Sequence, residues 1–147
     1  MTMAAAVRSY RMGDQGEGEI LAEAGDGMPV AIWRIRVLPG GGPAPHIHHD
    51  WAEAFYVLTG RFRFRLGETD RDVDPGDFVL APKGQVHGFT NIASQPSRLL
   101  CVAPPTALAE VEALADLVNA SAGQPHPAAI AELFERHHSA IVAPGGR

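Results

Sequence analysis

Between Ala31 and Val37, apolar and polar positions alternate. Ala31, Trp33, Ile35 and Val37 fall on one side, and Ile32, Arg34 and Arg36 on the other. Successive side chains of an extended chain point to opposite faces, so the alternation predicts a strand with Trp33, Ile35 and Val37 inward and the arginines in water. Pro39-Gly40-Gly41-Gly42-Pro43 ends it. Residues 53–58 (EAFYVL) are aromatic and β-branched, and residues 61–66 (RFRFRL) alternate strictly. Thr59-Gly60 between them predicts a hairpin, with Arg61, Arg63 and Arg65 on a solvated outer face. Gly67 to Asp77 reads as an acidic, turn-rich connection with a tight turn at Pro75-Gly76, and residues 77–81, 85–91 and 98–103 read as further strands. Residues 1–28 are loosely patterned, with room for one or two short edge strands such as Glu19 to Glu23. Short strands separated by Gly/Pro turns predict an all-β sandwich or barrel.

After Pro104-Pro105 the period changes. Leu108, Val111, Leu114, Ala115 and Val118 share one face of a helix over 106–119, with Thr106 placed to cap it. Ser121 to Pro125 is a break. Residues 127–142 read as a second helix with Ile130, Leu133, Phe134 and His137 or His138 along one side. The expected organisation is a barrel with N-terminal strands over 1–104 and a helical extension over 105–147 packed on it.

Composition narrows the class. A chain of 147 residues suits one domain, and with 46% hydrophobic and 20% charged residues it has enough apolar material for a core. The net charge is −5 and the only lysine is Lys83, which argues against a nucleic-acid partner. A single cysteine, Cys101, excludes a disulfide within the chain and fits a reducing cytoplasm. Met1 to Val7 is short, apolar and lacks a basic lead, which is not the pattern of a secretory signal, and no apolar run reaches the ~20 residues of a membrane span. A cytoplasmic protein without membrane partners is expected.

The chemistry concentrates in four residues. His46 and His48 are two apart, so in an extended segment both imidazoles face the same way. Glu53 opens the next strand, and His87 comes from a strand about 40 positions later. Three imidazoles and a carboxylate form a mixed N/O set suited to one divalent transition metal (Fe, Ni, Mn, Cu, Co or Zn) better than to Ca or Mg. Four protein ligands on an octahedral ion leave positions open for water or substrate.

The spacing extends well beyond these four. Gly40, five residues, His46, one, His48, four, Glu53, six and Gly60 form one pattern. Gly76, five residues, Pro82, one, Gly84, two, His87, three and Asn91 form a second, fifteen residues later. These residues resemble the two signature motifs of the cupin superfamily at every fixed position. The resemblance implies a double-stranded β-helix (jelly-roll) barrel with His46, His48, Glu53 and His87 as metal ligands, and a homodimer. The C-terminal phrase ELFERHHSAIVAP at 132–144 resembles, more weakly, the tail of small single-domain cupins similar to quercetin dioxygenases.

Substrate contacts are expected from Trp51, in the loop over the barrel mouth, and from the inward aromatics Phe55, Phe64 and Phe89. Trp51 is as well suited to packing, and inward phenylalanines of this kind are more often core than substrate contacts. His49 points away from the ligand pair; Gln85 and Asn91 are placed to support a ligand or a turn; His126, His137 and His138 fit the surface; Cys101 fits a buried, inert thiol. No nucleophile elbow, phosphate-binding loop or dinucleotide fingerprint occurs. Three functions follow from the resemblance. The first is a dioxygenase acting on an aromatic or enolisable small molecule, with O₂ as co-substrate and Glu53 as ligand and base. The second is a non-redox isomerase, decarboxylase or polyketide cyclase. The third is a non-catalytic binding module.

Overall fold

The computed structural model describes residues 8–23, 25 and 27–142. Strands β1 (Arg8–Arg11), β2 (Gly16–Ala22), β3 (Ala31–Val37), β5 (Glu53–Thr59), β8 (Phe78–Ala81) and β10 (Ser97–Ala103) form one sheet in the order β1-β2-β3-β10-β5-β8. Strands β4 (His46–His48), β6 (Phe62–Leu66), β7 (Thr69–Val73), β9 (His87–Asn91) and β11 (Ser139–Ile141) form the other, in the order β11-β4-β9-β6-β7. Every pairing is antiparallel, and the two sheets face each other as a jelly roll. Helices α1 (Pro105–Ala120) and α2 (Pro127–Arg136) follow the barrel strands. Neither is long and apolar enough to cross a membrane.

The period-2 pattern sorts the strands as expected. Trp33 and Val37 of β3, Leu99 and Cys101 of β10, and Phe55 and Val57 of β5 are buried, as are Phe62 and Phe64 of β6. Four phenylalanines make the centre of the core: Phe64 lies 5.1 Å from Phe89 and 5.2 Å from Phe55, and Phe62 lies 5.7 Å from Phe89, ring centre to ring centre. Tilted and edge-on contacts at this range add to the area that the rings bury.

Four expectations change, the smallest being that Pro104 and not Thr106 stands at the N-terminus of α1, where no side chain makes a capping bond. Strands β5 and β6 do not form a hairpin: β5 pairs with β10 and β8, and β6 pairs with β7 and β9 in the opposite sheet. Thr59-Gly60 is therefore a corner between sheets. Gly60 takes φ 81°, and a Cβ there would collide with the hydroxyl of Ser97, so only glycine fits. The corner lets two adjacent strands each bury their apolar side from opposite walls of the barrel. The acidic stretch read as a turn-rich connection contains β7, paired Arg63↔Asp72 and Arg65↔Asp70 along β6. Its charges are cross-strand partners: Arg63 Nε donates to Asp72 at 2.7 Å and Arg61 Nε to Asp74 at 3.1 Å.

The second helix stops at Arg136. His138 adopts φ 57°, a left-handed conformation that ends the helix, and Ser139–Ile141 pairs with β4 as a strand. The C-terminal segment is thus not helical throughout; it adds an edge strand beside the histidine pair. The readings for residues 1–7 and 143–147 lie outside the described residues.

Phe64 is 1% exposed and touches three aromatic rings, so F64A is expected to cost about 3–5 kcal/mol of unfolding free energy in a denaturant titration. R63A, at an exposed ion pair, is expected to leave the midpoint nearly unchanged.

Candidate metal centre

Strand β4 is only three residues long, His-Ile-His, and its two imidazoles face inward while Ile47 lies between them on the other side. His46 pairs in register with His87 of β9, which brings the third imidazole to the same level. Glu53 begins β5 in the facing sheet, so its carboxylate meets the imidazoles across the barrel interior. All four side chains are buried, and one ligand atom from each lies within 4.8 Å of the others.

The outer nitrogen of each ring is occupied. His46 Nδ1 lies 2.7 Å from the Ala44 carbonyl and His87 Nδ1 lies 3.1 Å from the Gln85 carbonyl. His48 Nδ1 lies 2.7 Å from Ser139 Oγ. A carbonyl can only accept, so His46 and His87 donate from Nδ1 and turn Nε2 toward the shared point. This is the arrangement by which outer partners orient metal-binding imidazoles.

The electrostatics fit a cation. Burial, with His87 beside it, lowers His46 to about 3, so this ring is neutral, the form that ligates. Burial would push the Glu53 carboxyl up, but His48 and His87 outweigh it and bring the group down to about 2. Glu53 Oε2 sits 3.3 Å from His87 Nε2 and 3.6 Å from His48 Nε2. An ionised carboxylate at this depth is stabilised by positive charge beside it, whether a proton shared with a neighbouring ring or a cation at the point where the four donors converge. Three imidazole nitrogens and one carboxylate oxygen fit a transition-metal ion.

A cavity of about 320 Å³ opens beside this cluster. Trp33, Phe55 and Phe89 from the barrel, with Leu114, Ile130 and Phe134 from the helices, give it mainly apolar walls, and His46, His48 and Glu53 reach its surface. Of the residues proposed for substrate, Phe55 and Phe89 therefore border the cavity. Phe64 packs behind them in the aromatic core. Trp51 stacks on His48, ring centres 4.8 Å apart at 24°, and its buried Nε1 has no hydrogen-bond partner among the described residues. Both are packing partners of the cavity-lining residues in this structure and do not border the cavity themselves.

The remaining candidates have structural places. Asn91 donates to the Val37 and Gln95 carbonyls, each at 2.9 Å, and so ties two turns together. His126 caps α2 by accepting from the Ala128 amide. His138, unexplained by the sequence, lies 2.6 Å from Asp50 on the surface, and its carbonyl accepts from the His49 amide. Burial pushes the Cys101 thiol up, as expected for an inert sulfur.

Two residues near the centre, Ser139 and Glu110, lie outside the sequence motifs. Ser139 contacts His48, and Glu110 of α1 accepts from the Ser139 hydroxyl at 2.6 Å and lies 3.4 Å from His48 Nδ1. Burial raises the Glu110 carboxyl above its ordinary value, opposed by Ser139 and His48. A signal for Glu110 existed: it falls three residues after Ala107 and four before Leu114, on the apolar stripe of α1. Ser139 carried no comparable signal, because it sat inside an apparent helix.

Comparison with known proteins agrees with this geometry. Residues 33–103 match the family model for the cupin domain. A germin-like protein of Arabidopsis thaliana, subfamily 2 member 3, is 36% identical over 76 residues, covering 48% of this chain and 35% of that protein. The chain spans between about a third and two fifths of the length of the curated relatives it matches. Among solved structures, the polyketide cyclase RemF from Streptomyces resistomycificus is 27% identical, with TM-score 0.60 over 71% of this chain and 80% of that one. KdgF from Halomonas sp. shares the fold, with TM-score 0.61 and 21% identity over 71% of this chain and 94% of that one.

The geometry predicts that H46A, H48A and H87A each lose bound metal, whereas H126A and H137A retain it. Elemental mass spectrometry of the purified variants checks this; retention in any of the first three contradicts the ligand assignment.

Proposed function

With residues 33–103 placing this chain in the cupin superfamily, we propose that it is a metal-dependent enzyme acting on a small, flat, largely apolar molecule that carries an enolisable or phenolic oxygen, by non-redox chemistry of the cyclase or isomerase type. The observation that carries the proposal is the position of His46, His48 and Glu53 at the surface of the apolar cavity, so that a bound molecule meets the donor set at one end and aromatic walls along its length. The likeness to a polyketide cyclase supports the non-redox choice.

His46, His48, His87 and Glu53 would hold one divalent ion. When bound, the ion supplies Lewis-acid stabilisation to developing negative charge on a substrate oxygen. The protein does the rest. Phe55, Phe89 and Trp33 hold the flat part of the molecule and exclude water. Glu53 is the carboxylate at the reacting end; held ionised, it can take a proton from a carbon or oxygen of the substrate and, being a weak base, return it readily. Cyclisation by this route joins a carbon that has lost a proton to a carbonyl carbon, and the proton passes to the new hydroxyl. No oxidant is consumed.

A dioxygenase is the second reading. The C-terminal phrase that resembles quercetin dioxygenases is the segment that supplies Phe134 to the cavity and Ser139 to His48.

One experiment separates the two. The metal-loaded protein is screened with flavonols, polycyclic phenols and β-polyketones, first for quenching of tryptophan emission, since Trp33 borders the cavity, and then for turnover in an oxygen-electrode cell. Product formation without oxygen uptake is expected. Oxygen consumed in step with product would establish the dioxygenase reading instead. E53Q, reconstituted at saturating metal, is expected to bind the same compounds while turnover falls at least ~100-fold; undiminished turnover would remove Glu53 from the proton transfer.

A further inference from the structure

The family match ends at residue 103, yet side chains beyond it reach two of the three imidazoles. The Phe134 ring meets His46 edge-on at 5.7 Å and 87°. Ser139 Oγ lies 2.7 Å from His48 Nδ1, and its hydroxyl donates to Glu110 at 2.6 Å. His48, Ser139 and Glu110 are 4%, 2% and 3% exposed, so water does not substitute for any of these partners.

The direction of this chain of hydrogen bonds is set by chemistry. A serine hydroxyl has one proton, and here it is given to Glu110. The Ser139 oxygen is then an acceptor, and the group that donates to it is His48 Nδ1–H. This fixes the proton on Nδ1 and turns Nε2 inward. His46 and His87 obtain the same result from carbonyls two residues before them. His48 alone among the three relies on partners distant in sequence, and Ser139 is 91 residues away. It comes within reach because β11 pairs with β4 in the register Ser139↔His48.

We propose that Ser139 and Glu110 form a positioning pair for His48, and that docking of strand β11 is thereby coupled to filling of the metal centre. The inference rests on the metal-centre reading and adds to it a dependence on the C-terminal segment. If docked β11 holds His48 in the ligating orientation, metal binding must in turn favour docked β11, because coupling between two equilibria is reciprocal. A purely structural role for Ser139 would stabilise the barrel edge without altering affinity for metal.

The test uses the full chain as apo-protein, titrated with Zn²⁺ or Co²⁺ against a chromophoric chelator, for the parent, S139A, S139T and E110Q. S139A is expected to weaken binding about 10–100-fold, the usual effect of losing an outer hydrogen-bond partner. S139T, which keeps the hydroxyl on a strand-favouring residue, is expected to restore binding to within a few-fold, and E110Q to fall between. Amide hydrogen exchange at residues 139–141 should slow on metal addition in the parent and respond less in S139A. Parent-like affinity in S139A, within about twofold, overturns the proposal, including when its thermal midpoint falls. A parent that takes up no metal overturns the metal-centre reading, and this inference with it.

Discussion

A carboxylate and three imidazoles meet inside the barrel, and the fold must justify their burial. Removing an ionised carboxylate from water costs several kcal/mol unless opposite charge and hydrogen bonds compensate. Glu53 is 7% exposed and faces His48 and His87 across the gap between the two sheets. With the outer nitrogens of His46 and His87 given to carbonyls, the inner nitrogens turn toward one another and toward the carboxylate. Hydrogen bonds from His48 and His87 can compensate the buried carboxylate, and so can a cation at the point where the four donors converge. The remaining features serve this point: the short β4 that carries two of the rings, the register that sets His87 beside His46, and the aromatic layer of Phe55, Phe64 and Phe89 on which the cluster rests.

The same constraint explains what was legible in the sequence. Period-2 alternation identified the inward faces of β3, β5 and β6, and the histidine and glycine spacing identified all four members of the cluster, because local extended geometry fixes which way each side chain points. Pairing was less legible. The link through Thr59-Gly60 has the composition of a hairpin, and only the second sheet, with Ser97 packed against Gly60, turns it into a corner. Strand β7 was hidden because its outward residues are aspartates, which read as a loop until Arg61, Arg63 and Arg65 are seen opposite them. The end of α2 was hidden because residues 132–142 remain amphipathic, and it is the left-handed conformation of His138 that redirects the chain.

What the sequence least revealed is the part played by the C-terminal segment. Read as helices packed on a finished barrel, it contributes a strand to the barrel wall, Phe134, Ile130 and Leu114 to the cavity, and a hydroxyl and a carboxylate to His48. The matched family region supplies the donor atoms, and the segment beyond it shapes what can approach them.

The proposed chemistry depends on these four side chains binding one metal together. X-ray absorption at the metal edge of the protein loaded with one equivalent of Co²⁺ or Zn²⁺ tests it most directly. The expected spectrum has a first shell of nitrogen and oxygen scatterers at about 2.0–2.2 Å with the outer-shell scattering of about three imidazole rings. A spectrum without imidazole outer-shell scattering, or one unchanged in H48A, would contradict it.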